Sequence, residues 1–242
     1  IILGCGGGQK AADYDIAVIA KSTGSDFWQN VKRGVNAAAV EYNTNVTFTG
    51  PDNEENWSAQ NTMIVSAVAR GADAIVLSAI DYELTRDAVD AAAAAGVRII
   101  TIDSGVDSGN VSAFIGTDNT EAGRLAGKAA LDLCGDTPAV LGLVNYSEST
   151  ENVREREEGL RAFAAENGMT VAAVEMVESN TESAAAGAKK LLSEHPEVNV
   201  IVGFNEWMTL GVGYAVRDMG LSDKVAAVGF DSNVVSVGML ET

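Results

Sequence analysis

Several polar side chains in this chain stand where an apolar run stops. VRIITIDSG (97–105) is a β-branched run that ends on the carboxylate of Asp103, and KVAAVGFDS (224–232) ends in the same way on Asp231. After IAVIA (16–20) come Ser22, Ser25, Asp26, Phe27 and Trp28, and after AIVL (74–77) comes Asp81. AVLGLV (139–144) is followed by Arg154, and VNVIVGF (198–204) by Asn205 and Glu206. Carboxylates accept charge-assisted hydrogen bonds from hydroxyls, an arginine donates two in parallel, and an amide does both. A flat aromatic ring covers an apolar C–H face. Together these are the groups that recognise a polyhydroxylated ring such as a sugar. Asp103 and Asp231, as an equivalent pair, are expected to hold one polar ligand between two similar half-sites. Simpler roles are open to each group. The aspartates could cap turns, Asn205 could be a plain helix N-cap, and Arg154 could pair with Glu158 one turn on. One of Phe27 and Trp28 is expected in the core, with the other lining the cleft.

These groups need a scaffold that ends strands side by side. Apolar runs of four to eight residues bounded by turn formers suit strands buried on both faces. Between them lie helical patterns at 27–42, 58–70, 84–95, 120–133, 150–166, 181–194 and 207–219, with Asn119 or Thr120 as an N-cap. Strict strand–helix alternation predicts right-handed crossovers and parallel sheets. In such sheets ligands bind beyond the carboxyl ends of the strands. The two halves also match at an offset of about 125 residues: IAVIA with AVLGLV, Gly34 with Gly159, GADAIVL with EVNVIVG, and VRIITID with KVAAVGFD. The expected architecture is therefore α/β, with two similar doubly wound parallel-sheet lobes and a ligand cleft between them. The expected boundaries are a tether at 1–14, an N-terminal lobe at 15–104, an interlobe crossing at 105–112 and a C-terminal lobe at 113–242. The strand at 113–116 falls in the second lobe on this division.

Composition narrows the function classes. The chain has 242 residues, 47% of them hydrophobic, and a net charge of −18. That charge argues against nucleic acid, which requires clustered Lys and Arg. After the first strand stands KSTGSDFW, with no GxGxxG and no Walker loop to cradle phosphates. No two Cys or His have metal-ligand spacing, no GxSxG is present, and the single histidine, His195, has no nucleophile near it in sequence. No enzyme, metal or cofactor is expected. Of the two cysteines, Cys134 lies in an apolar stretch and is expected to be an inert thiol. Cys5, in IILGCGGGQK, has the setting of a bacterial lipoprotein cleavage site, where the Cys becomes lipidated and the glycines after it form a tether. On that reading the two cysteines do not pair.

The ordered motifs SDFWQNVKRGV, GADAIVLSAID, VRIITIDSG, IGTDNTEAG, REREEGLRAF, FNEWMTLGVG and VGFDS resemble the ribose-type pentose- and hexose-binding proteins of bacterial ABC importers. The resemblance covers residues 15–242, and the effector lobes of lac-repressor-like regulators share the fold. It implies a type I periplasmic-binding-protein fold. Phe27 and Trp28 would stack on the sugar, and Asp103, Arg154, Asn205 and Asp231 would bond its hydroxyls. Ser25 stands where the ribose-type pattern has Asn, and Asp26 where it has Pro, so the sugar is left open. The aromatic contact that the family often has near Ser179 and Asn180 is missing. The family pattern continues past Thr242 with a strand and a final helix, so the chain is expected to be C-terminally truncated. The implied role is an extracytoplasmic, lipid-anchored, monomeric receptor that closes on a monosaccharide and hands it to a membrane permease. The rival roles are the effector domain of a regulator and a sensor ectodomain.

Overall fold

The computed structural model describes residues 12 and 14–239. Cys5 and its expected lipid anchor lie outside them. The first sheet is built from β1 (Asp15–Ile19), β2 (Asn45–Thr49), β3 (Ala74–Leu77), β4 (Arg98–Ile102) and β5 (Val111–Ile115), in the order β2-β1-β3-β4-β5. The second contains β6 (Val140–Asn145), β7 (Thr170–Met176), β8 (Val200–Gly203) and β9 (Ala226–Gly229), in the order β7-β6-β8-β9. Every pairing is parallel. If the second sheet is renumbered from its own first strand, its order repeats the first four strands of the other. The internal repeat read from the sequence is thus a repeat of topology.

The helices fall between the strands as the alternation requires: α1 (Asp26–Glu41), α2 (Trp57–Ala69), α3 (Arg86–Ala94), α4 (Asn119–Cys134), α5 (Glu151–Glu166), α6 (Thr181–Glu194), α7 (Glu206–Asp218) and the short α8 (Val234–Met239). Each lobe has its own core. In the first, Ile64, Ala67, Val89 and Ala92 of α2 and α3 pack on Ala17, Ile19, Ile75, Leu77 and Ile99. The core of the second is larger and includes Leu141, Leu143, Leu160, Leu191, Ile201, Phe204 and Met208. Among the described residues no helix is long and apolar enough to cross a membrane.

Three expectations change. The segment 105–112 is not the interlobe crossing, and the strand expected at 113–116 does not belong to the second lobe. Val111–Ile115 hydrogen-bonds in parallel to β4 as the edge of the first sheet. The loop from Asp103 to Asn110 is thus a connection within the first lobe, and the chain passes to the second after Ile115. A five-residue strand carries no local mark of the sheet it joins. The N-cap of α4 is Asp118, whose side chain accepts from the Glu121 N–H at 2.9 Å, rather than Asn119 or Thr120.

The lobes are in contact across the cleft. Phe27 N–H donates to Glu206 at 3.2 Å, Ser179 N–H to Glu55 at 2.8 Å and Gly105 N–H to Glu151 at 2.6 Å. In addition, Thr150 Oγ1 donates to the Ile80 carbonyl at 2.6 Å and Tyr82 N–H to the Ser149 carbonyl at 2.9 Å. This is a closed arrangement.

Candidate ligand site

The strand ends enclose a cavity of about 20 Å³ between the lobes, lined by Lys21, Ser25, Phe27, Glu54 and Asp103 from the first lobe. The second lobe contributes Tyr146, Asn152, Arg156, Asn205, Glu206, Trp207 and Asp231. That volume holds one or two waters. Admitting a sugar ring therefore requires the lobes to part or a lining side chain, such as that of Lys21, to swing aside.

Asp103 and Asp231 occupy matched places. Each follows the last core strand of its lobe, and each has a left-handed backbone, φ +61° and +62°. This region is costly for residues with a Cβ, and Asp is among the few that tolerate it. The same unusual turn at both strand ends aims two carboxylates into one cavity. Their surroundings differ. Asp103 forms an ion pair with Lys21 at 2.8 Å and accepts from Ser78 Oγ at 2.9 Å and, across the cleft, from Asn152 Nδ2 at 3.1 Å. Burial by itself would raise its carboxyl, but Lys21, Arg156 and the Ser78 hydroxyl hold it below the usual range. Three of about four lone-pair positions are used, so one acceptor direction remains. Asp231 carries no hydrogen bond to a described residue. Asp231 is itself exposed, and the surrounding protein, with the carboxylates of Asp103 and Glu206, pushes its carboxyl up against the pull of Arg156 and Lys21.

Lys21 is 3% exposed. Burial would lower its ammonium, but the carboxylates of Asp103 and Glu54 keep it above the ordinary value and therefore charged. Glu54 lies behind it, accepting from Trp28 Nε1 at 2.7 Å and from Ser22 Oγ at 3.4 Å. Burial raises its carboxyl, only partly offset by Lys21.

The arginine of the cavity is Arg156. Val153, Arg156, Leu160 and Ala164 are all buried and spaced by three and four residues, so Arg156 lies on the stripe of α5 that faces the protein. There its Nε donates to Asn119 Oδ1 at 2.9 Å and its Nη1 to the Phe204 carbonyl at 2.9 Å. The guanidinium lies over the Phe230 ring at 4.7 Å, and that ring stacks on Phe204 at 5.8 Å. Gly123 and Gly159 let α4 and α5 touch backbone to backbone, since a Cβ on either would collide with the other helix at Arg156 and Thr120 respectively. Arg156 is thus clamped, with Nη2 making no hydrogen bond to a described residue.

The expected site residues separate as follows. Ser25, Phe27, Asp103, Asn205 and Asp231 come together at the cavity. Ser25 also caps α1, accepting from the Trp28 N–H at 3.2 Å. Asn205 serves twice, capping α7 through Oδ1 to Met208 N–H at 2.9 Å while its Nδ2 reaches Ser179 Oγ at 3.3 Å. Arg154 is outside, because two residues along a helix is about half a turn. It has 38% of its side chain exposed, lies near Glu158 and covers the Tyr82 ring at 5.1 Å. Trp28 is buried behind the cavity, edge-on to Phe27 at 4.9 Å, because its indole N–H is tied to Glu54. Asp26 is exposed in the first turn of α1. Asp81 instead accepts from Glu83 and Leu84 N–H at 3.0 and 2.7 Å, a turn cap. Lys21, Glu54, Tyr146, Asn152, Arg156 and Trp207 line the cavity without having been expected to do so.

The periplasmic binding protein domain family matches residues 16–242. A D-ribose/D-allose-binding protein from Pseudomonas aeruginosa is 27% identical over 90% of this chain and 70% of its own length. The crystal structure of a sugar transporter from Clostridium phytofermentans is 33% identical, with a TM-score of 0.87 over 91% of this chain and 82% of that one. A carbohydrate transporter solute binding protein from Agrobacterium radiobacter, in complex with D-arabinose, is 29% identical, with a TM-score of 0.91 over 96% and 80% of the two chains. With two parallel-sheet lobes of matching topology closing on a shared cavity, the chain belongs to the periplasmic binding protein domain family, alongside its ribose-type members.

Proposed function

We propose that this protein is an extracytoplasmic receptor that captures a monosaccharide between its lobes and delivers it to the permease of an ABC importer, without catalysing a reaction. The observation that carries this reading is the cavity itself. It has matched aspartates at opposed strand ends, a clamped arginine, amides, and aromatic side chains from both lobes. A ring with hydroxyls around its edge and C–H faces above and below suits that set. Relatives that bind ribose, allose and arabinose support the class of ligand.

Closure provides the signal. A ligand that touches both lobes is held fully only when they meet, so its binding shifts the population toward the closed form. The passage after Ile115 is the hinge in this reading. The permease then distinguishes closed from open receptor. A lipid on Cys5 would hold the receptor, as a monomer, at the outer face of the membrane. Calorimetric titration of the purified protein with pentoses and hexoses tests the reading. Saturable one-to-one heat with at least one sugar is expected, and no heat from any of them would overturn it.

A further inference from the structure

Tyr146 opens the loop after β6, and its backbone N–H is fixed by Asn145 Oδ1 at 2.9 Å. Asn145 in turn donates to Glu157 at 2.6 Å. The tyrosine is 7% exposed and packed into the core of the second lobe, yet it also lines the interlobe cavity. Its hydroxyl makes no hydrogen bond to a described residue. It nevertheless lies within electrostatic reach of Lys21, Glu54 and Asp103 across the cleft and of Arg156 on its own lobe. Asp103 takes its protein partners from Lys21, Ser78 and Asn152, and Arg156 from Asn119 and the Phe204 carbonyl, so neither uses the Tyr146 hydroxyl.

We infer that Tyr146 is a specificity-determining residue of the sugar site, its fixed phenol reading one ligand hydroxyl from the side of the second lobe. This rests on the monosaccharide reading. The phenol oxygen faces the cavity without a protein partner, and closure over a ligand hydroxyl supplies one in place of solvent. A site that holds a polar group ready rejects the analogue lacking its partner, because closure then strands that group. The ring is held by core packing and the start of the loop by Asn145, so the phenol is presented at one place and cannot follow a differently placed hydroxyl. Burial first, then Glu54 and Asp103, raise the phenol above its ordinary value despite Lys21 and Arg156, so it remains a neutral donor. A phenol among carboxylates selects for a neutral hydroxyl.

The test pairs Tyr146→Phe, which keeps the ring and removes only the oxygen, with monodeoxy sugars. Wild type and variant are titrated calorimetrically with ribose, arabinose, allose and galactose, and with each monodeoxy derivative of the sugar bound best. Thermal melting of both proteins confirms the fold. The variant is expected to bind the best sugar about tenfold more weakly, the effect of one hydrogen bond to a neutral group. For one monodeoxy position, and only one, wild type and variant are expected to bind equally. Equal binding of every sugar by both proteins overturns the inference while leaving the sugar reading intact. A tenfold loss that persists at every monodeoxy position also overturns it, since the effect would then be structural. If the wild type binds none of the sugars, the reading and the inference fall together.

Discussion

Replacing Lys21 with Met removes the ammonium from Asp103 while keeping an unbranched side chain of similar length. In the native protein the two groups are 2.8 Å apart, with side chains 3% and 14% exposed. The substitution leaves a carboxylate enclosed by protein without its cation. Losing one partner of a buried pair costs about 3–5 kcal/mol. Ser78 and Asn152 still donate to Asp103, which places the expected loss near the lower end, about 3 kcal/mol. For a chain of this size each kcal/mol moves the melting temperature by about 2–4 °C, so a fall of roughly 6–12 °C is expected at neutral pH. Adding Asp103→Asn removes the stranded charge and should recover most of that loss, because a buried pair replaced as a whole is often close to neutral. Differential scanning calorimetry of the wild type, both single variants and the double variant reads the coupling directly. A shift below about 2 °C for Lys21→Met, or a double variant no more stable than that single variant, would refute the idea that Lys21 is the fixed counter-charge of Asp103.

Two further predictions separate the cavity from its rim. Arg156→Met should abolish sugar binding or weaken it by more than about tenfold, the loss expected when a charged donor goes, whereas Arg154→Met should leave binding within about twofold; calorimetric titration distinguishes them. The raised carboxyl of Glu54 makes its deprotonation costly in the folded state, so its contribution is complete below the ordinary value of 4.5 and lost as pH rises through its native value. Melting temperatures of Glu54→Gln should therefore change less between pH 4.5 and neutrality than those of the wild type, and parallel curves would contradict that assignment. Asp103, held low, has the opposite sign. Its contribution is present above 3.8 and lost as pH falls below it, so the acid limb should flatten in Asp103→Asn.

Much of the scaffold was legible in the sequence because each core strand is an apolar run that stops on a polar residue. The match between VRIITID and KVAAVGFD extends further than sequence could show, to the same left-handed backbone at Asp103 and Asp231. The second arginine of NVREREEGL was legible in principle. Val153, Leu160 and Ala164 define the buried stripe, and Arg156 is the arginine that falls on it. A charge on the core face of a helix is a stronger signal than one on its solvent face. Lys21 gave no comparable signal, since a lysine after a strand looks like any polar turn. It is buried only because a partner 82 positions away meets it. Trp28 shows the reverse case, in which an aromatic expected to stack on ligand is drawn into the interior by Glu54, 26 positions along the chain. The placement of β5 was set by pairing with β4, which depends on tertiary contacts alone.

The central claim is that one ligand is gripped from both lobes at once, and calorimetric titration of Asp103→Ala and Asp231→Ala with the sugar that the wild type binds best tests it most directly. Each substitution should weaken binding by about tenfold or more, since each removes a charged acceptor from a different lobe. Normal affinity in both variants would contradict the account.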